Sequence, residues 1–535
     1  MLKQTVRSVV VVMLVAASTV LPAAAQGAQS TRDAAIISPL SSCTIISDKQ
    51  PSVQVRVGPG PNRSVLQFLA PSRTLSVEAV TTMDDGAAWF KLNKAEVDAN
   101  SAAAELWIDA AEVTQFGNCE DMAMRFDPTP VLNSAQITVR NPESGSMLTT
   151  LVDSVNTDNL MNTIETLQGF TSRHVNSVQT SVSEGVAAAA NYLLGEFVKV
   201  QDASGGNFRG FMHPFTAYYN GVQSTQNNIV GVINGSDPSL PAIVIGAHYD
   251  SRTDDLTDSR AFAPGADDNG SGVAGILELA RIMSQTRPHA TVIFVLFAAE
   301  EVSRQGSIAF VRDYIQGQQV AVRVMINVDT IGSTQDPYGN VNDRELRIFS
   351  KGQGDSPSRD MARMIHLIVE TFGTDLTLRY VEEIDRPGRY GDHFSFNEAG
   401  YPAIRIIEAL EDTPHREGRD TIEFIEPEYL TKSVRTLATI LLVLSDSEAV
   451  PTSVVVQSAD SGVLRVSWQP VDRATGYLVA LRNETDATFV KYFFAASNEI
   501  AWDCACFARY SSISVAALNA NGIGGLLSPA VSTTF

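Results

Sequence analysis

A chain of 535 residues exceeds what one hydrophobic core organises, so several domains are expected, one of them large enough for an enzyme. With 44% apolar and 19% charged residues it reads as neither a disordered chain nor a polytopic membrane protein. A formal net charge of −21 with no run of clustered Lys and Arg argues against nucleic acid as a partner, because a phosphate backbone is held mainly by grouped cations.

Lys3 and Arg7 precede an apolar run from Ser8 to Leu21, and Ala23-Ala24-Ala25 then supplies small residues for cleavage. That is the pattern of an export signal over 1–25. An uncleaved anchor is the alternative, although the run is shorter than the ~20 residues a spanning helix needs. The mature chain is therefore expected to be secreted or associated with the cell envelope, with no membrane span after cleavage. In that setting the four cysteines point to disulfides rather than a metal site. Cys43 and Cys119 bracket one candidate domain and could close it; Cys504 and Cys506, one residue apart, either bridge or remain thiols.

After a leader over 26–42, the region 43–120 alternates short β-prone runs (VQVRV, SVLQFL, TLSVEAV, AAWFKL, ELWIDA) with turn clusters, which predicts a small β-barrel. The string VQVRVGPGPNRSVLQFL resembles the opening of bacterial SH3-like domains, and that resemblance implies a peptide, cell-wall or surface ligand. Residues 121–150 read as a linker. From 151 to 447 helical stretches (158–197, 272–285, 302–316, 356–372) alternate with a short strand at 227–235 and four buried-type strands at 242–247, 291–299, 322–328 and 402–407. Strands buried on both faces and separated by helices predict an α/β catalytic domain with a three-layer αβα sheet. The stretch 431–445 fits a buried amphipathic helix. Over 450–535 the runs VLRVSWQP, GYLVALR, FVKYFF and SISVAAL predict a β-sandwich, and Trp468 with TGYLVALR and NANGIGGLLSPAV resembles a fibronectin type III domain.

The chemistry gathers at the ends of the catalytic strands. His248-Tyr249-Asp250 follows AIVIGA, Glu300-Glu301 follows VIFVLFAA, and Asp329 follows VMINV. Open α/β sheets place their sites beyond the carboxyl ends of the strands, so these residues should converge. Between the first two strands lies GADDNGSG, residues 265–272, whose Asn269 and Ser271 can cap the helix that follows. Carboxylates mixed with imidazole and no thiolate suit zinc or another first-row divalent ion, and two ions ~3.5–4 Å apart form a known amide-hydrolysing arrangement.

The motifs GAHYDS, PGADDNGSGVAG, AAEEVSRQGS, NVDTIGS and GDHFSFNEAGYPAI resemble, in order and spacing, those of metallopeptidase family 28, over roughly residues 150–447. That family includes bacterial leucyl aminopeptidases, glutamate carboxypeptidases and glutaminyl cyclases. The resemblance implies two Zn2+, with Co2+ or Mn2+ as substitutes, and peptide or protein substrates. It places His248 and Asp329 on one ion, Glu301 and His415 on the other, and Asp268 between them, with Asp267 as fallback. Glu300 would be the general base and Asp250 the carboxylate that orients an imidazole. Pro414 stands where some members carry a tyrosine that polarises the substrate carbonyl, which leaves Tyr390 as the substitute candidate. The expected activity is aminopeptidase; a carboxypeptidase, a glutaminyl cyclase or a non-catalytic adhesion protein are the alternatives. Arg386, Arg389 and Arg416 are the candidates to grip a terminal carboxylate, and His393 is expected to support the site without binding metal. His174, His213, His289 and His366 read as structural.

Overall fold

The computed structural model describes residues 43–119 and 146–533, apart from 50–52, 57, 62–64, 84–85, 98–105, 118, 352–355, 387, 411–416, 459–463, 503–509 and 520–523. The expected export signal and leader, most of the expected linker, His415, Arg416 and the Cys504–Cys506 pair lie outside the described residues.

The N-terminal region holds seven short strands, β1 (Cys43–Ile46), β2 (Val53–Arg56), β3 (Val65–Leu69), β4 (Thr74–Thr82), β5 (Ala88–Leu92), β6 (Trp107–Asp109) and β7 (Thr114–Gly117), with a one-turn helix α1 (Lys94–Val97). They pair antiparallel in the order β3-β2-β6-β5-β4-β1-β7. Alternate residues Val53, Val55, Leu75 and Val77 point into an apolar core with Phe90 and Ile108. The Cys43–Cys119 disulfide joins the two ends of this unit, as the cysteine spacing suggested.

The central region begins with α2 (Ser146–Asp153), so part of the stretch read as linker is helical, and α2 packs on the last helix of the region. The segment 158–197 is not one helix. It divides into α3 (Thr157–Gly169) and α4 (Gly185–Ala203), because the Ser- and Thr-rich stretch between them favours turns and Gly185 adopts a φ of 84°. Next come β8 (Phe208–Tyr219) and β9 (Val222–Ile233), a twelve-residue hairpin pair whose two-residue loop is Asn220-Gly221, both with positive φ. The short strand expected near 227 is therefore the end of a long one; its first half is polar, which hid it.

There follow β10 (Ala242–His248), α5 (Gly272–Met283), β11 (Val292–Phe297), α6 (Gln305–Phe310), β12 (Val322–Val328), β13 (Glu345–Ser350), α7 (Pro357–Phe372), β14 (Thr377–Val381), α8 (His393–Glu398), β15 (Ala403–Glu408) and α9 (Pro427–Ser445). One eight-stranded mixed sheet runs β14-β13-β15-β12-β10-β11-β9-β8. Its centre, β15-β12-β10-β11, is parallel, so these strands deliver their carboxyl ends to one edge. Ile243 and Ile245 of β10 with Phe294 and Leu296 of β11 join an apolar cluster with α3, α4, α5, α7 and α9, while Val244, Ile293 and Val295 join another with Phe310 and Phe396. Burial on both faces accounts for the unbroken apolar runs of these strands.

The C-terminal region has two antiparallel sheets, β16 (Val455–Ser458), β17 (Leu464–Ser467) and β20 (Glu499–Trp502) in the order β16-β17-β20, and β18 (Gly476–Arg482), β19 (Lys491–Ala495), β21 (Ser512–Leu518) and β22 (Val531–Ser532) in the order β19-β18-β21-β22. Trp468, just past β17, is buried edge-on against Tyr477 at 5.1 Å. Every residue of β18 is buried, because its second face packs on the central region: Leu478, Ala480 and Phe494 cluster with Leu367 of α7, and Arg363 donates to the Ala487 carbonyl at 3.0 Å. Leu478→Ala is expected to destabilise the chain by about 2–5 kcal/mol, the usual cost of emptying a leucine site in a packed core. Chemical denaturation would register this as a lowered midpoint; an unchanged midpoint would mean the contact contributes nothing.

Candidate metal centre

The strand ends converge as the parallel register requires. His248 closes β10 opposite Phe297 of β11; Glu300 and Glu301 lie just beyond β11, reached through Ala299 at a φ of 58°. The His248 Nε2 lies 3.3 Å from Asp268 Oδ1 and 3.6 Å from Asp329 Oδ1. Two groupings bring ligand-type atoms within 4.8 Å of one another: His248 with Asp268 and Asp329, and His248 with Glu300 and Glu301. They line a cavity of about 320 Å³ whose wall also carries Asp267, Glu408, Asp420, Tyr390 and five arginines, Arg252, Arg304, Arg386, Arg389 and Arg405.

The GADDNGSG loop reaches the cavity through Gly265 at a φ of 49°, where a Cβ would strike the Asp268 carbonyl at 2.6 Å and the Arg173 guanidinium at 2.7 Å. Asn269 then ties the loop to the next strand, donating to the Val328 carbonyl at 2.9 Å and accepting from the Thr330 and Gly272 amides at 3.1 and 3.0 Å. The adjacent acids divide. Asp268 turns into the cavity beside His248, with its side chain 38% exposed. Asp267, buried in the same wall, accepts from the Gly332 amide at 2.9 Å.

Asp250 stands beside the imidazole and also anchors the next strand end. Its carboxylate accepts from the Glu300 and Glu301 amides at 3.0 and 3.1 Å, which fixes the turn that carries both acids. His248 Nδ1 lies 3.2 Å from the Asp250 backbone carbonyl and 3.6 Å from its carboxylate. Asp420 repeats the device, accepting from the Asp267 and Asp268 amides at 2.9 and 2.8 Å. A buried carboxylate facing two N–H donors is well satisfied, and each such charged hydrogen bond contributes about 1.5–3 kcal/mol.

Several residues that build the site were not anticipated. Arg405, in the middle of β15, donates to Asp329 Oδ2 at 2.8 Å and to both oxygens of Asp385 at 3.0 and 2.8 Å. Arg173 is fully buried and donates to the carbonyls of Tyr249, Pro264 and Gly265 at 2.6, 2.6 and 2.8 Å, directly behind the metal loop. A lone arginine inside the apolar run PAIRII was the available signal, because a buried cation requires an acid partner. Tyr390 lines the cavity rim, 39% exposed and stacked on Phe394 at 4.6 Å. His393 is buried, 2.9 Å from the Ile384 carbonyl, and joins neither ligand grouping. His174, His213, His289 and His366 also stand outside both groupings.

Crowding shapes the electrostatics. Burial alone would push the His248 imidazole down, but Asp329, Glu300, Asp250 and Asp268 hold it well above its ordinary range. Burial raises Glu300 well above the carboxylate range and takes Glu301, which also faces Asp268, to about 8. Burial opposes ionisation of Asp329 as well, yet Arg405 and His248 keep it below its usual value. Among the described residues Asp329 Oδ1 is buried without a hydrogen-bond partner while pointing towards His248, and such an acceptor among carboxylates fits a divalent cation.

Residues 228–441 match the model of peptidase family M28. A probable zinc metalloprotease of Pyrenophora tritici-repentis is 31% identical over 337 residues, covering 57% of this chain and 77% of the relative. The chain belongs to peptidase family M28. A probable zinc metalloprotease of Phaeosphaeria nodorum is 31% identical over 356 residues, covering 58% of this chain and 72% of its own. Among solved structures, the Legionella pneumophila LapA aminopeptidase is 22% identical with a TM-score of 0.46, covering 64% of this chain and 93% of that one. The family match begins at residue 228, so Arg173 and the β8 strand lie outside it.

With the Glu301 carboxyl pushed up to about 8 by burial and by Asp268, a cation that bound there would displace a proton. Its apparent affinity is expected to weaken as pH falls through about 8, with proton release on binding near neutrality. Titration calorimetry in buffers of different ionisation enthalpy tests this; an affinity constant between about pH 6 and 8 would contradict it.

Proposed function

We propose that this chain is a secreted, zinc-dependent aminopeptidase whose site holds two ions. In this reading His248 and Asp329 hold one ion, Glu301 and His415 the other, and Asp268 lies between them. The observation that carries it is the unpartnered Asp329 Oδ1 facing His248 Nε2, with the Asp268 carboxylate turned into the same cavity. The resemblance to the probable zinc metalloproteases of Pyrenophora tritici-repentis and Phaeosphaeria nodorum supports zinc. Cobalt or manganese would suit the same oxygen and nitrogen donors.

When bound, such ions supply Lewis acidity towards a scissile carbonyl and lower the pKa of an attacking water. Glu300, held by its amide to Asp250, then accepts that water's proton and returns it to the departing amine. Its buried setting, which raises its proton affinity, suits a base working near neutrality. Asp420 and Asn269 keep Asp268 in place, and Tyr390 at the rim is the side chain available to polarise the carbonyl.

A cavity of about 320 Å³ sits at the small end of ligand sites and accommodates the end of a peptide better than its middle. The surplus of carboxylates favours an α-ammonium group and hence an N-terminus. A carboxypeptidase is the second reading, favoured by Arg252, Arg386 and Arg389 in the same wall, which could grip a terminal carboxylate. The glutaminyl cyclase and adhesion readings have no such observation behind them. We further take the central region as a three-layer αβα domain, the N-terminal unit as SH3-like with a peptide or cell-surface ligand, and the C-terminal sheets as a fibronectin type III module.

Glu300→Gln should retain both zinc ions by elemental analysis and lose about 10²–10⁴-fold in kcat; full turnover would remove Glu300 from the mechanism. Aminoacyl anilides should be cleaved far faster with a free amine than when N-acetylated, and equal rates would exclude the aminopeptidase reading.

A further inference from the structure

Arg405 sits between two acids that serve different parts of the cavity. On one side is Asp329, 2.8 Å away through Oδ2, on the edge where the ion would bind. On the other is Asp385, fully buried, which belongs to the chain segment that brings Arg386, Arg389 and Tyr390 to the rim. Asp385 is the fastener of that segment. It accepts the Arg386 amide at 2.8 Å and the Gly391 amide at 3.1 Å, and the Arg389 amide closes back on the Arg386 carbonyl at 3.1 Å. Gly391 is tight against the sheet: a Cβ there would lie 2.6 Å from Asn327 Nδ2.

We propose that the Asp329–Arg405–Asp385 bridge couples the metal centre to the substrate rim, so that an ion bound at Asp329 fastens the residues around Arg386 and Gly391. This rests on the reading of Asp329 as a metal ligand. Without an ion, Asp329 and Asp385 share one guanidinium, Asp329 through Nη2 and Asp385 through Nη1. A cation at Asp329 Oδ1 would take up part of the Asp329 charge and so strengthen the hold of Arg405 on Asp385, both of whose oxygens already accept from Nη1. Linkage makes the effect mutual: whatever an ion contributes to fastening the rim, an intact rim contributes to holding the ion. Asp385 and Arg405 are positioning residues here, since they act through Asp329 and through the rim backbone.

Amide hydrogen exchange on the full chain, with and without zinc, reads the coupling in the unaltered protein. The Gly391 and Arg386 amides are expected to exchange at least about tenfold more slowly once zinc is bound. In Asp385→Asn, Arg405 turns its whole charge on Asp329. One of the two zinc-binding steps should then weaken about tenfold or more in calorimetric titration, KM should rise more than kcat falls, and the zinc-dependent protection should vanish. A role confined to folding would lower the melting temperature without separating the two zinc steps. Zinc that binds the unaltered protein but leaves both amides within about twofold of their metal-free rates would overturn the coupling while leaving the peptidase reading intact. A chain that binds no zinc would overturn both.

Discussion

The protein is organised around one electrostatic problem. Asp267, Asp268, Glu300, Glu301, Asp329, Glu408 and Asp420 all face a single cavity at the carboxyl edge of a parallel sheet, most of them buried or half-buried. Carboxylates so crowded repel one another and resist desolvation at a cost of several kcal/mol each unless compensated. Compensation comes from backbone amides aimed at Asp250 and Asp420, from the guanidinium of Arg405, and from the buried cation of Arg173. Among the described residues, Glu300 and Glu301 are offset by the His248 imidazole and, for Glu301, by Arg252 at 3.4 Å, yet burial still holds both above the usual carboxylate range. That residual imbalance is what a pair of divalent cations would remove.

This explains why the site draws on so much of the chain. Arg173 lies between α3 and α4, before the residues matched by the family model, yet it closes the loop that presents Asp268. At the other end, β18 and β19 cover α7, and the Ser358 hydroxyl of that helix donates to Asn397 at 3.0 Å and accepts from the Ala403 amide at 3.1 Å. Ala403 begins the strand that carries Arg405. The four-stranded C-terminal sheet therefore braces the helix that holds the strand carrying Arg405.

The legible part of the architecture was the part with a strong one-dimensional signature. Strands β10, β11, β12 and β15 are buried on both faces and read as apolar runs, and the acid or imidazole that ends three of them is adjacent in sequence, so the convergence could be inferred from topology alone. The β8–β9 hairpin was missed because residues 223–228 are polar, although Asn220-Gly221 was a usable turn signal. Arg405, Asp385 and Arg173 were missed for a different reason: Arg405 meets Asp329 across 76 positions, and Arg173 meets Gly265 across 92, distances over which no local pattern operates. Asp250 illustrates a finer loss, since its proximity to His248 was readable but the two amides that claim its carboxylate come from another strand end.

The central claim is that the cavity exists to hold two neighbouring cations. Crystals grown with zinc and measured on both sides of the zinc absorption edge address it directly. The account predicts two anomalous peaks about 3.5–4 Å apart, one against His248 and Asp329, the other against Glu301, with Asp268 reaching both. A cavity with no peak, or zinc found elsewhere on the surface, would contradict it.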